Sequence, residues 1–217
     1  MVERMGMGRV RRSSPVGLTP QNENRKMQTS MLVKIGQPAD HGFNEPLGLL
    51  SDCHRRIERF LSALVTIAQG RRGSALERRD RSVLESALTY FSTAAPRHSA
   101  DEEESLFPRL RTSPDPSARA AFETLQHLQA DHRFAEQHHE AVDLLAGRWL
   151  AQGALSPSDT ASLLDHLTAL EKLYRAHIKV EDEELFPAAA RILAPTDLEA
   201  IGREMAARRD VPFEPPI

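Results

Sequence analysis

Cysteine occurs once, at Cys53, so no disulfide can close within the chain and nothing points to an oxidising compartment. Aromatic residues are only 5% of the total, and β-branched residues are sparse through a middle dominated by Ala, Leu, Glu and Arg. That composition favours a helical bundle over a sheet. No apolar run approaches the roughly 18 residues that a membrane-spanning helix needs. Excess positive charge is also missing: Lys+Arg 28 against Asp+Glu 31 gives a net charge of −3, which lends no support to nucleic-acid binding. The charge is uneven, however, with seven Lys/Arg against two Asp/Glu in residues 1–35. These arginines precede no apolar segment, so the N-terminus does not read as a secretory signal. With neither span nor signal, the expected location is the cytoplasm.

What is present is a repeat. Residues 97–108 read RHSADEEESLFP and residues 176–187 read AHIKVEDEELFP. At an offset of 79, His98 falls on His177, Glu102 on Glu181, and Leu106-Phe107-Pro108 on Leu185-Phe186-Pro187. Two further histidines, His54 and His132, stand at an offset of 78. The order is therefore His, HxxxE, His, HxxxE, a duplicated helical hairpin with two His and one Glu per copy. On a helix, His and Glu four residues apart share one face, one turn or roughly 6 Å apart.

The length of 217 residues allows one domain with a sizeable core and some tail. Residues 1–43 lack periodicity and read as a disordered basic extension, with a basic interaction arm as the rival view. A first helix is expected from Asn44-Glu45-Pro46, with Asn44 as cap, to about Gly70, its stripe running Leu50, His54, Ile57, Leu61, Leu64. A second covers roughly 74–111, with Leu84, Leu88, Phe91, Ala95, His98 and Glu102 inward and Pro96 kinking it before the site. The third spans about 117–150 with Leu125, Leu128, His132, Ala135, His139 and Val142 inward. The fourth opens at Ser156-Pro157 and ends near Leu193, its inner face holding Leu163, Leu167, Leu170, Tyr174, His177, Glu181 and Leu185. Thr196 or Asp197 would cap a short fifth helix before an extended tail, within a C-terminal segment 194–217. Together, 44–193 predict an all-α, antiparallel up-down-up-down four-helix bundle.

One histidine on an apolar stripe is usually a satisfied core residue. Four at matching depths, two with a Glu one turn on, would strand six ionisable groups in the core, at several kcal/mol per uncompensated ion. A multivalent cation removes that cost. The candidate metal ligands are His54, His98, Glu102, His132, His177 and Glu181. Imidazole and carboxylate without thiolate fit Fe or Mn, with Zn as a further option, and six ligands exceed one tetrahedral Zn. Cys53, adjacent to His54, points elsewhere round the helix and reads as structural. The run 101–105, DEEES, reads as mostly a solvated face with only Glu102 turned in; His127, His138 and His166 read as solvated, and His41 as incidental. His139, two turns past His132, is too far to ligate the same ion. Glu58 and Glu136 each follow a site histidine by four and are expected to orient a neighbouring ligand or lie at the surface, with direct ligation as the lesser alternative.

The pattern from about Pro46 to Arg191 resembles the hemerythrin-like domains with an HHE cation-binding signature, and both LFP triplets add to the likeness. The resemblance implies a four-helix bundle around a non-haem di-iron centre, two Fe ions with His54 and His98 on one, His132 and His177 on the other, and Glu102 and Glu181 bridging. It implies small ligands such as O2, NO or peroxide, and a role in stress response or iron handling. Oxygen-carrying hemerythrins have a further His where this chain has Glu136, and end on an Asp five residues after its His where Glu181 follows at four. The set is similar to the four-His, two-Glu type, which includes di-iron proteins that repair iron–sulfur clusters. Those carry a short Cys-containing N-terminal domain that this sequence lacks. A ligand-binding or sensing module, a di-iron enzyme or iron donor, and a structural bundle with incidental zinc are the readings to separate.

Overall fold

The computed structural model describes residues 41–214, apart from the side chains of residues 120–122. Every regular element among them is helical. The first long helix, α1, spans Pro46–Arg71. Pro46 opens it, where the missing N–H costs nothing, and Glu45 rather than Asn44 is the cap, with no side-chain hydrogen bond. It stops where Arg72 and Gly73 turn left-handed, at φ 47° and 77°.

The second long helix is α2, Arg78–Ala100, followed without a break by a π-helical turn, Asp101–Leu106, and α3, Phe107–Thr112. A 3₁₀ turn, Pro116–Ala121, leads into α4, Phe122–Gln152. The last long helix is α5, Pro157–Val180, continued by a second π turn, Glu181–Leu185, and α6, Phe186–Ile192. Ser156 caps α5 by accepting a hydrogen bond from the Asp159 amide at 3.1 Å.

Both π turns have a cause in the LFP triplet. Pro108 and Pro187 have no N–H, and each ring crowds the carbonyl four residues back. The turn before them widens, and the amides of Phe107 and Phe186 reach back five residues to the carbonyls of Glu102 and Glu181.

The long helices pack as neighbours α1 with α2, α4 with α5, α1 with α5 and, most loosely, α2 with α4. At one end the loops interlock: the Leu155 amide donates to the Gly73 carbonyl at 2.8 Å, and the Trp149 indole to the Ser74 carbonyl at 3.0 Å. Short α7, Pro195–Ala207, lies across the other end on α1 and the first π turn. Its cap is Ala194; Asp197, expected as a cap, instead sits in the first turn and accepts from the Ala194 amide.

The buried apolar residues form two clusters. One holds Ile57, Leu64, Leu84, Phe91, Val142, Trp149 and Leu167; the other holds Leu50, Leu106, Phe107, Leu128, Phe186, Ile201 and Met205. Of the extension expected over residues 1–43, residues 41–43 are described and the rest lies outside the described residues. Phe43 packs on the second cluster, and its carbonyl approaches Gly202 more closely than any side chain there would allow. His41 is not incidental: its amide donates to Asp52 Oδ2 at 2.8 Å and its ring lies 3.2 Å from the same oxygen.

Candidate metal centre

The six residues singled out from the repeat form a polar layer between the two apolar clusters. His54 comes from α1, His98 from the end of α2, Glu102 from the first π turn, His132 from α4, His177 from α5 and Glu181 from the second π turn. Glu102 and Glu181 are fully buried, and His54, His98 and His177 nearly so.

Two groups of ligand atoms emerge, each within 4.8 Å: His54, His98, Glu102 and Glu181, and Glu102, His132, His177 and Glu181. Both glutamates belong to both groups. Glu102 divides its oxygens, Oε1 lying 3.4 Å from His98 Nε2 and Oε2 lying 3.3 Å from His132 Nε2. Glu181 Oε2 lies 3.1 Å from both His54 Nε2 and His177 Nε2. These approaches lack hydrogen-bond geometry: all four carboxylate oxygens, and His54 Nε2, are buried without a hydrogen-bond partner. Orphaned buried acceptors are rare in native proteins, and a cation between them and the imidazoles would satisfy all of them.

The far nitrogens of three imidazoles are held by carboxylates, two of which are exchanged between the two halves. His54 Nδ1 lies 3.0 Å from Asp182 Oδ1, and Ser51 donates to the same oxygen at 2.7 Å. His132 Nδ1 lies 2.6 Å from Glu103 Oε1, and Gln129 steadies Glu103 at 3.3 Å. His177 Nδ1 lies 3.3 Å from Asp131. Phe186 stacks on His54 and Phe107 on His132, with centroids 5.4 and 6.3 Å apart. Each HxxxE stretch thus fixes the lone histidine of the other copy through the acid and the phenylalanine that follow its Glu. Such carboxylates orient a ligating imidazole and raise its basicity.

Charge follows this wiring. Burial alone would push the His54 imidazolium towards neutrality, but Asp182, Glu102 and Glu181 outweigh it and hold its pKa up at about 12. For His132 burial is likewise overcome, by Glu102 and Glu103, to about 10. His98 has no partner on Nδ1, and burial takes its pKa down to about 4 against the pull of Glu102. Burial also opposes ionisation of Glu102, yet His98, His132 and His54 keep its carboxyl well below the usual range.

Several expectations around the site change. DEEES is not a solvated face: Asp101 is buried on a bidentate pair with Arg209 and a 2.9 Å contact from Arg208, while Glu103 turns to His132. The widened π turn brings three successive acids inward where an α-helix would carry one. Glu58 is exposed, and exposed Glu136 lines the wall of a pocket; the carboxylates on the site imidazoles are Glu103, Asp131 and Asp182 instead. Glu103 and Asp182 were findable, since both copies carry an acid directly after the HxxxE Glu. His138 and His166 are not simply solvated, their Nδ1 atoms facing each other at 2.9 Å, whereas His127 is exposed. His139 pairs with the Tyr174 hydroxyl at 2.9 Å and stacks on Phe91, below His177. The Cys53 thiol is buried, which pushes its pKa up and makes it a poor thiolate.

Comparison with known proteins meets this geometry from another side. The chain is 26% identical over 173 residues to an uncharacterized protein of Haemophilus influenzae, covering 78% of this chain and 92% of that one. Residues 45–189 match the hemerythrin HHE cation binding domain, a span that begins at the cap of α1, ends within α6 and takes in every residue of the polar layer. With two thirds of its length in that match and a buried His/Glu layer able to hold a cation, the chain belongs to the hemerythrin HHE cation-binding family.

Proposed function

We propose that this chain is a non-haem di-iron protein, an antiparallel up-down-up-down bundle that binds or reacts with O2, NO or peroxide in stress response or iron handling in the cytoplasm. His54 and His98 would hold one ion, His132 and His177 the other, and Glu102 and Glu181 would be shared. The observation that carries the reading is the set of four buried carboxylate oxygens without hydrogen bonds, facing four imidazoles from four helices. A nitrogen and oxygen donor set without thiolate suits iron or manganese, and six ligands exceed one tetrahedral zinc. When bound, such ions supply redox and Lewis-acid chemistry to a small ligand. The chain's own residues orient the ligands through Asp182, Glu103 and Asp131, and the apolar clusters above and below exclude water.

A second reading, a di-iron enzyme or iron donor resembling the iron–sulfur cluster repair proteins, is favoured by Glu136. Where oxygen carriers present a further histidine, this side chain is exposed. An ion held by His132 and His177 would then have no fifth imidazole, which would leave it more accessible to a small reactant. Elemental analysis of protein purified without added metal, with visible spectra before and after azide or peroxide, tests both readings. Two irons per chain and charge-transfer bands that shift with azide are expected. A colourless zinc protein overturns the di-iron reading. Turnover of peroxide or NO, or iron transfer to a cluster-depleted acceptor, selects the second reading over simple binding.

A further inference from the structure

We propose that the pocket between α2 and α4 is the route by which divalent cations reach the metal centre, and that Glu136, Glu140 and Asp143 draw them in. The proposal rests on the metal-centre reading above. The pocket encloses about 490 Å³ on the loosest face of the bundle and extends to His132 and Glu103.

Its two walls differ in kind. The α2 wall presents Leu88, Phe91, Ala95 and Pro96 with no charged side chain. The α4 wall carries Glu136, Glu140 and Asp143, spaced four and three residues apart and so on one helical face. Among the described residues none of these three makes a side-chain hydrogen bond or ion pair, although ion pairs are frequent elsewhere on this surface. From Asp143 to His132 the stripe covers roughly 16 Å of helix axis. Its inner end is the half-buried Glu103, whose Oε1 lies 2.6 Å from His132 Nδ1, and the opposite nitrogen of that ring faces Glu102.

Arg133 is the one Lys or Arg in the lining, and it is exposed; the His132 imidazole at the inner end is already paired with Glu103, which leaves Glu136, Glu140 and Asp143 in excess. Glu104, also in the lining, is engaged by Arg208 at 3.2 Å. The field in the pocket is therefore negative, and the apolar wall opposite concentrates it. Clefts lined by one sign of charge against low-dielectric walls raise association rates about 10- to 10³-fold. An acidic stripe on an open helix face would be screened; this one faces a wall. The same arrangement opposes anions and admits neutral molecules.

The test is cation uptake by full-length, metal-stripped protein. Anaerobic Fe2+ is mixed at low ionic strength and free Fe2+ is followed with a chromogenic chelator; Co2+, followed by its visible absorption, serves as a second probe. The variant is E136Q/E140Q/D143N, all three positions being exposed or at the pocket surface. A control, E58Q/E77Q/E123Q, removes the same charge from exposed sites outside the pocket. We expect the pocket variant to load at least tenfold more slowly, in line with the steering range, with unchanged final stoichiometry and a flattened dependence on salt. The control should load like the wild type. Equal loading rates for the pocket variant and the wild type overturn the route, as does equal slowing in the control. Slower loading with lost stoichiometry would make these residues ligands and also overturns it. If the wild type takes up no cation, the metal-centre reading falls first and the route with it.

Discussion

His98 and His54 sit side by side, ring centroids 4.9 Å apart, yet they differ in the metal-free protein. His98 is neutral at pH 7 and ready to ligate, while Asp182, Glu102 and Glu181 keep His54 protonated. A cation must therefore displace protons from His54 and His132. Because both pKa values are raised, uptake should release protons at pH 7 and apparent affinity should rise with pH across the neutral range. Indicator-dye titration in weak buffer measures this; cation uptake with no proton release would mean that His54 and His132 are already neutral in the metal-free protein. Substituting the outer carboxylates separates orienting from ligating. Glu103→Gln and Asp182→Asn should each weaken cation affinity about 10- to 100-fold with the stoichiometry kept. Glu102→Gln, by contrast, should drop occupancy towards one ion per chain, which equilibrium dialysis against a competing chelator resolves. The six residues of the polar layer were readable because a repeat at matching offsets is hard to produce by chance. Glu103 and Asp182 shared that repeat, but a regular 100° step per residue turned them outward, and only the widened turn brings them in.

At the scale of elements, helix number and most helix ends were legible from apolar stripes, prolines and Ser156. The π turns were not, because an α-helical period was carried straight through Asp101–Leu106 and Glu181–Leu185. Nor was the placement of α7, whose docking depends on side chains far apart in sequence. Arg208 and Arg209 reach over a hundred positions back to the buried Asp101, and Arg109 forms a bidentate pair with Glu204 at 3.0 and 2.7 Å. The clamp lies beyond the stretch that matches the family domain, yet it grips the residue preceding Glu102. Burial raises the Asp101 pKa even with both arginines present. Removing them by R208Q/R209Q should cost about 3 kcal/mol, the low end for unpairing a buried charge, since Asp101 can then take up a proton. Adding Asp101→Asn to that background should restore part of the loss, because the orphaned charge is gone. Urea unfolding of the set measures this; strictly additive losses would show that Asp101 and the arginines act independently.

Across the whole molecule the polar layer divides the core, so the metal-free bundle must carry Glu102 and Glu181 buried beside imidazoles rather than apolar packing. The candidate ligands come from all the long helices and the π turns that continue two of them, and an ion bound only by the folded state would stabilise it by mass action. At about a thousandfold excess over Kd that contribution is about 4 kcal/mol. For a domain of this size each kcal/mol moves the melting temperature by about 2–4 °C, so stripping the metal should lower it by on the order of 10 °C. The shift should depend on pH, because in the metal-free protein the raised pKa values of His54 and His132 give stability that is fully present below their unfolded value near 6.5 and lost as pH rises through about 10 to 12. The gap between metal-bound and metal-free protein should therefore widen from pH 6 to pH 8, as proton competition for the imidazoles eases. Differential scanning calorimetry of both forms at several pH values measures it. Equal melting temperatures would place the cation outside the layer that joins the helices, and a gap that narrows with rising pH would reverse the protonation states assigned to His54 and His132.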